Sequence, residues 1–198
     1  MRFRQAAQAD AAVMVETLTD AFHHDPTWSW AFPDPVARPA QYRRWWGLFV
    51  DGALRYDVSW LADDGAAAAV WLPPGGTELS DEQAELVEPT LRELAGPHAD
   101  AVLELFHRFD EVHPTDEPHY YLTLLGTRSD RRGEGLGVAL LRNCLDRWDA
   151  EGFPSYLESS NPANDQRYER LGFTRIGEFR APGTGPVVAS MWRPVGGR

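Results

Sequence analysis

The stretch Arg131-Arg132-Gly133-Glu134-Gly135-Leu136-Gly137-Val138 lies between two segments of different periodicity. Before it, Tyr120-Tyr121-Leu122-Thr123-Leu124-Leu125 is an apolar run of strand length, flanked by His119 and Gly126. After it, Leu136, Leu140, Cys144 and Trp148 recur once per helical turn. The predicted order is strand, glycine turn, helix. Such a turn aims several backbone N–H groups at one spot, with the positive end of the helix dipole behind them. Gly133, Gly135 and Gly137 carry no Cβ, so an anion can approach the main chain closely. Arg131 and Arg132 add fixed charge suited to phosphate. The physical reading is a phosphate cradle; its plain alternative is a tight turn that caps a helix.

The kind of phosphate is narrowed by what the loop lacks. A nucleoside-triphosphate loop closes with Gly-Lys-Ser/Thr, and here Gly135-Leu136-Gly137-Val138 contains no lysine. The dinucleotide fingerprint needs a third glycine where Val138 stands. The spacing Arg132-x-x-Gly135-x-Gly137 instead resembles the acetyl-CoA loop of the GNAT superfamily of N-acetyltransferases, Arg/Gln-x-x-Gly-x-Gly/Ala after a strand. A second run, from Tyr156-Leu157-Glu158-Ser159-Ser160 to Tyr168-Glu169-Arg170-Leu171-Gly172-Phe173, is similar to the next strand, short helix and Tyr-x-x-Leu-Gly-Phe ending of that superfamily. The two motifs stand in the order and spacing that the superfamily shows.

The resemblance implies an α/β (α+β) fold. Its mixed, mostly antiparallel twisted sheet has helices on both faces and splays between the strand ending at Thr127 and the strand ending near Ser159. Acetyl-CoA would enter that splay as co-substrate. The implied coenzyme-binding residues are Leu125, Gly126, Thr127, Arg131, Arg132, Gly133, Gly135, Leu136, Gly137, Val138 and Asn164. N–H groups from Arg132 through Val138 would hold the pyrophosphate, and the main chain of Leu125 and Thr127 the pantetheine arm and acetyl carbonyl. Asn164 matches a position that touches that arm; as sequence alone it reads equally as a helix N-cap.

Within the superfamily, residues 62–71, the Leu-Glu-Ser-Ser run and the Tyr-Glu-Arg-Leu-Gly-Phe run resemble the puromycin-acetylating branch. The implied acceptor is therefore the primary amine of a small molecule, an antibiotic such as puromycin. Residues 23–56 and 77–115, regions that usually shape the acceptor pocket, match that branch poorly. Two other readings stay open: a protein or peptide N-acetyltransferase, and a non-catalytic acyl-CoA-binding sensor.

Acetyl transfer to an amine needs an acid for the leaving thiolate and relief of the ammonium's proton. Tyr168 is the expected general acid, the role the family commonly gives that tyrosine; a phenol with a pKa of ~10 stays protonated at neutral pH. Its bland reading is a packing tyrosine. Glu158, at a strand end bordering the splay, is the best-placed carboxylate. It would act as base, as part of a water relay, or as an anchor for the ammonium. Trp28 and Trp30, in the aromatic segment 23–35 read as a loop, are expected to wall the acceptor pocket. The helix carrying Trp45, Trp46 and Phe49 reads as core.

The rest of the chain reads as one domain over residues 1–198. Helices are predicted after Asp10 (as N-cap), over Tyr42–Tyr56, from a Ser80/Gln83 capping box, and around Val102–Phe109. Pro89 should kink or split the third of these. Strands are predicted near residues 3–6, 58–62, 66–72, 174–179 and 187–192, with Asp63-Asp64-Gly65 as a hairpin turn. A net charge of −11 argues against nucleic-acid backbones as partners. No run reaches the ~20 apolar residues that span a bilayer, and no segment reads as a signal peptide. The expectation is a cytoplasmic protein with no membrane partner, a monomer or homodimer. Cys144, the sole cysteine, falls on an apolar helix face and reads as core. The six histidines show no metal-ligand spacing, so no metal is expected.

Overall fold

The computed structural model describes residues 1–197. Its strands are β1 (Phe3–Gln5), β2 (Trp60–Ala62), β3 (Ala67–Leu72), β4 (Tyr120–Thr127), β5 (Ser155–Ser159), β6 (Thr174–Arg180) and β7 (Val187–Arg193). They form one sheet in the order β1-β2-β3-β4-β5-β7-β6. Neighbours are antiparallel except β4 and β5. That pair is joined by the helix after the glycine loop, which carries the chain back so that both strands start at one end.

β4 and β5 pair only from Tyr120 to Leu122 and from Ser155 to Leu157. Beyond that, β4 stays bonded to β3 as far as Thr127, and β5 stays bonded to β7 as far as Ser159. Each strand follows its outer neighbour, and the sheet parts between them. This is the splay the motifs implied.

The helices are α1 (Ala11–Phe22), α2 (Pro26–Ala31), α3 (Arg38–Ala53), α4 (Asp81–Ala95), α5 (Ala99–Val112), α6 (Leu136–Glu151) and α7 (Asp165–Glu169). On one face α1–α5 pack Met14, Leu18, Trp46, Leu91 and Val102 with Ala68, Val70 and Leu124 of the sheet. On the other, Leu140, Leu141 and Trp148 of α6 meet Ala67, Ala69, Trp71 and Leu122. Successive residues of β3 thus serve opposite cores, as strand alternation requires. Gly126 shows how closely α1 lies on β4: a Cβ there would stand 2.7 Å from the Ala21 Cβ.

Three local expectations are corrected. The aromatic segment 23–35 is not all loop, because α2 forms within it. Asp25 accepts hydrogen bonds from the N–H groups of Thr27 and Trp28 (3.0 and 3.1 Å), and Pro26 occupies the first helical position. Pro89 does not split its helix; α4 runs through it. The position is exposed, so the carbonyl that loses its donor can bond water. Asp10 precedes α1 but does not cap it. Its carboxylate is taken by Arg4 (2.7 Å) and by the Ala7 N–H, across a short 3₁₀ turn. The Ser80–Gln83 capping box forms as read.

Candidate active site

The splay opens into a cleft lined by all eleven residues expected to hold the coenzyme, Leu125 through Thr127, Arg131 through Gly133, Gly135 through Val138, and Asn164. The first hydrogen bond of α6 runs from the Ala139 N–H to the Gly135 carbonyl at 3.0 Å. Among the described residues the N–H groups of Gly133 through Val138 have no partner, leaving a fan of donors at the positive helix end. Gly133 and Gly135 hold φ of +87° and +74°, a region that L side chains rarely adopt. Gly137 is needed for space, since a Cβ would meet the Thr127 hydroxyl at 2.7 Å. The two arginines differ. Arg131 is held by Glu134 through two 2.8 Å bonds. Arg132 donates to the Ala21 carbonyl at 2.8 Å, and no acid pairs with it among the described residues. Of the two, Arg132 has more charge to offer an anion.

A second pocket opens from the splay beneath α1–α5. Trp28, Trp46, Phe49, Phe106 and Phe109 wall it. Trp28 stacks on Phe109 with centroids 6.2 Å apart, Phe49 on Phe106 at 6.0 Å, and Trp46 meets Trp28 edge-on at 4.7 Å. Four carboxylates, Asp25, Glu78, Asp110 and Glu158, line the pocket together with His113, and no arginine does. The Glu158 side chain is only 4% exposed; its Oε1 accepts no hydrogen bond and lies 3.9 Å from His113 Nδ1. Glu78 keeps part of its surface open, yet burial of its carboxyl, with the charges of Glu158 and Asp110 next, pushes its pKa up to about 8. Apolar walls set with carboxyl groups and no arginine suit a cation with an apolar body.

Phe22, Asp25, Leu125, Asn164 and Tyr168 line both cavities, so the two meet there. Asp25 clamps this junction. Besides capping α2 it accepts from the Ser160 hydroxyl at 2.8 Å, while Thr27 donates to the Ser160 carbonyl at 2.8 Å. Burial raises the Asp25 pKa to about 6 against those hydrogen bonds. Tyr168, on α7, has its pKa raised by burial first and then by Asp25 and Asp165, which keeps the phenol protonated. Asn164 stands at the N-cap of α7, but its side chain caps no N–H and instead accepts from Arg167.

Trp28 lines the aromatic pocket, and Trp30 does not; it packs edge-on against His98 at 4.7 Å. Once α2 is a helix, residues two apart point to different faces. Cys144 is buried, and burial pushes its thiol up to about 12, in keeping with a core residue. Sequence reasoning missed Asp25, Glu78, Asp110, His113, Phe106 and Phe109 as pocket residues. Asp25 had a local signal, an N-cap residue before proline. Phe106 and Phe109 lay on a recognised helix stripe whose partner was unknown. Glu78 and His113 sit in connecting segments and carry no such signal. Among the described residues no group of three or more His, Cys, Asp or Glu side chains could hold a metal ion, and no helix is long and apolar enough to cross a membrane.

Comparison with known proteins bears on the fold and the family. The mycothiol acetyltransferase of Streptomyces coelicolor is 36% identical over 124 residues, which are 59% of this chain and 39% of that protein. The chain thus matches well under half the length of that relative. The crystal structure of a histone acetyltransferase HPA2 and related acetyltransferase from Corynebacterium glutamicum superposes with a TM-score of 0.71 at 28% identity, covering 98% of this chain and 95% of that one. The polyamine N acetyltransferase of Drosophila melanogaster shares the fold at 16% identity, with a TM-score of 0.68 and coverage of 98% and 99%. A model of the acetyltransferase (GNAT) family matches residues 16–173, and the chain belongs to that family.

Proposed function

We propose that this chain, as a single domain, transfers an acetyl group from acetyl-CoA to the primary amine of a small molecule with an apolar or aromatic body. The observation that carries this reading is the meeting of a donor-lined cleft and an acidic aromatic pocket at Phe22, Asp25, Leu125, Asn164 and Tyr168. On this reading the N–H fan of Gly133–Val138 and Arg132 bind the coenzyme pyrophosphate. The pantetheine arm lies along the β4 edge at Leu125–Thr127, which β5 leaves free, like an added strand. The amine attacks the thioester carbonyl, and Tyr168 protonates the leaving sulfur. Glu158 draws the acceptor's positive charge into the pocket.

Phe106 and Phe109 of α5 line the pocket with aromatic surface, which suits a small acceptor with an apolar body. Puromycin, with a primary amine beside an aromatic ring, is the first acceptor to try.

The test is acetyl-CoA-dependent thiol release with puromycin, an arylalkylamine and a diamine, each against a blank without acceptor. All 19 basic residues of the chain are arginines, so no lysine ε-amine of its own competes. Release with puromycin supports an antibiotic-modifying role. Release only with another amine keeps the transferase and discards puromycin. Coenzyme binding with no release for any amine favours the non-catalytic sensor.

A further inference from the structure

We propose that His113 is the base that removes the acceptor ammonium's proton, receiving it at Nδ1, with His119 and Glu158 holding the imidazole ready. The inference rests on the acetyl-transfer reading above.

The hydrogen-bond chain behind His113 decides its tautomer. His119 Nδ1 lies 2.8 Å from the Glu117 carbonyl, which can only accept, so that nitrogen carries the proton. Burial lowers the pKa of His119 and keeps it neutral, leaving a bare lone pair on Nε2. That lone pair is 3.2 Å from His113 Nε2, which must therefore donate. A neutral His113 is left with its own lone pair on Nδ1. This is the nitrogen 3.9 Å from Glu158 Oε1, on the pocket side.

A carboxylate and a helix end stand beside the imidazole. Glu158 Oε1 is buried 3.9 Å from His113 Nδ1, an electrostatic contact and not a hydrogen bond, and the Tyr121 and Tyr156 phenols stand beside the same carboxylate. His113 is also the C-cap of α5, at the negative end of that helix. The other titratable groups that line the pocket are Asp25, Glu78 and Asp110, whose charges act in the same direction when ionised, and the phenol Tyr168; nearest the imidazole are Tyr121 and Tyr156, whose rings stand 4.8 and 5.0 Å from His113. Burial raises both phenols, so they stay neutral.

Exposure separates His113 from Glu158 in this role. A proton left on Glu158, with its side chain 4% exposed, would have no direct way out; the His113 side chain is 31% exposed and can return it to solvent. The step balances as follows. The R–NH₃⁺ group gives one proton to His113 Nδ1, and the freed amine forms the C–N bond as the C–S bond breaks. Tyr168 protonates the sulfur and recovers a proton from the new amide nitrogen. One proton reaches bulk water through the imidazolium. His119 acts through His113 and is a positioning residue.

The experiment compares pH profiles of kcat/KM for the parent chain and His113→Gln, which keeps a donor toward His119. The expected loss is roughly 100-fold at pH 7, the usual scale of general-base catalysis. It shrinks toward parity above the acceptor's own pKa, ~8 for an α-amine and ~10 for an alkylamine, where the amine sheds its proton unaided, while the KM for acetyl-CoA is unchanged. A loss equal at every pH, or no loss, overturns the role of His113 and leaves the transferase standing. No thiol release by the parent with any amine overturns the transferase reading and the base role with it. Imidazole ¹⁵N shifts add a readout independent of turnover: neutral His113 should carry its proton on Nε2, and a proton on Nδ1 overturns the proposal.

Discussion

The donor-lined cleft, proposed for the coenzyme, and the aromatic pocket, proposed for the acceptor, share a border of five residues but are built differently. Ten of the eleven expected coenzyme residues fall between Leu125 and Val138, and the donors they offer are main-chain N–H groups. The acceptor pocket draws side chains from Phe22 to Tyr168, on helices α1, α2, α3, α5 and α7, strands β4 and β5, and the segment before α4. A backbone site depends on glycine conformation and on the helix start, so most side chains around it can change. A side-chain pocket can be respecified one residue at a time while the coenzyme chemistry is kept. One fold can thus hold a constant donor and a variable acceptor.

That contrast can be broken or sharpened by substitution. The largest effect is expected for Tyr168→Phe at the shared border. Steady-state kinetics should show kcat falling roughly 100-fold with coenzyme affinity nearly kept; unchanged turnover would remove the phenol from the mechanism. Next comes Gly126→Ala. Its Cβ would stand 2.7 Å from the Ala21 Cβ, and such overpacking costs about 1–3 kcal/mol in denaturant unfolding. A variant as stable as the parent would show that α1 can shift on β4 without loss.

Phe109→Ala tests the independence of the two cavities. Removing one stacked wall should raise the acceptor KM about tenfold and leave the acetyl-CoA KM alone. A parallel rise in both would mean that the cavities are coupled.

The smallest effect is a slope. Glu78 is an acid whose pKa is raised in the fold to about 8, so the folded chain binds its proton more tightly than the unfolded chain. Its contribution to stability is therefore best at low pH and declines as pH rises from about 4.5 through about 8. Glu78→Gln should melt higher than the parent at pH 8, with the gap closing toward pH 4.5. Asp25, raised to about 6, contributes a decline of the same sign over a lower range in both proteins. Equal melting curves at pH 8 would place the Glu78 carboxyl in solvent.

Much of the donor half was legible in the chain. The strand, glycine turn and helix around residues 120–148 rest on periodicity and on the conformations open to glycine, and both are local properties. The splay between β4 and β5 followed from the resemblance carried by two motifs in order, whereas the parallel pairing of the two strands was seen only in the fold. Local rules failed where tertiary structure altered their context. Pro89 was tolerated because its helix face meets water, and Asp10 was drawn to Arg4 instead of capping α1. Trp28 and Trp30, paired in the sequence reading, were separated once α2 became a helix.

The sequence by itself determined where an anion could be held, because a turn and a helix start are set by neighbours along the chain. Only the tertiary structure decided that Glu78, Asp110, His113 and Glu158 line one aromatic pocket, and that His119 backs His113. Apart from Asp110 and His113, three apart at the end of α5, those residues come from separate elements and have no common period. Packing of α5 and the strands brings them together, and the same packing sets their burial and charge.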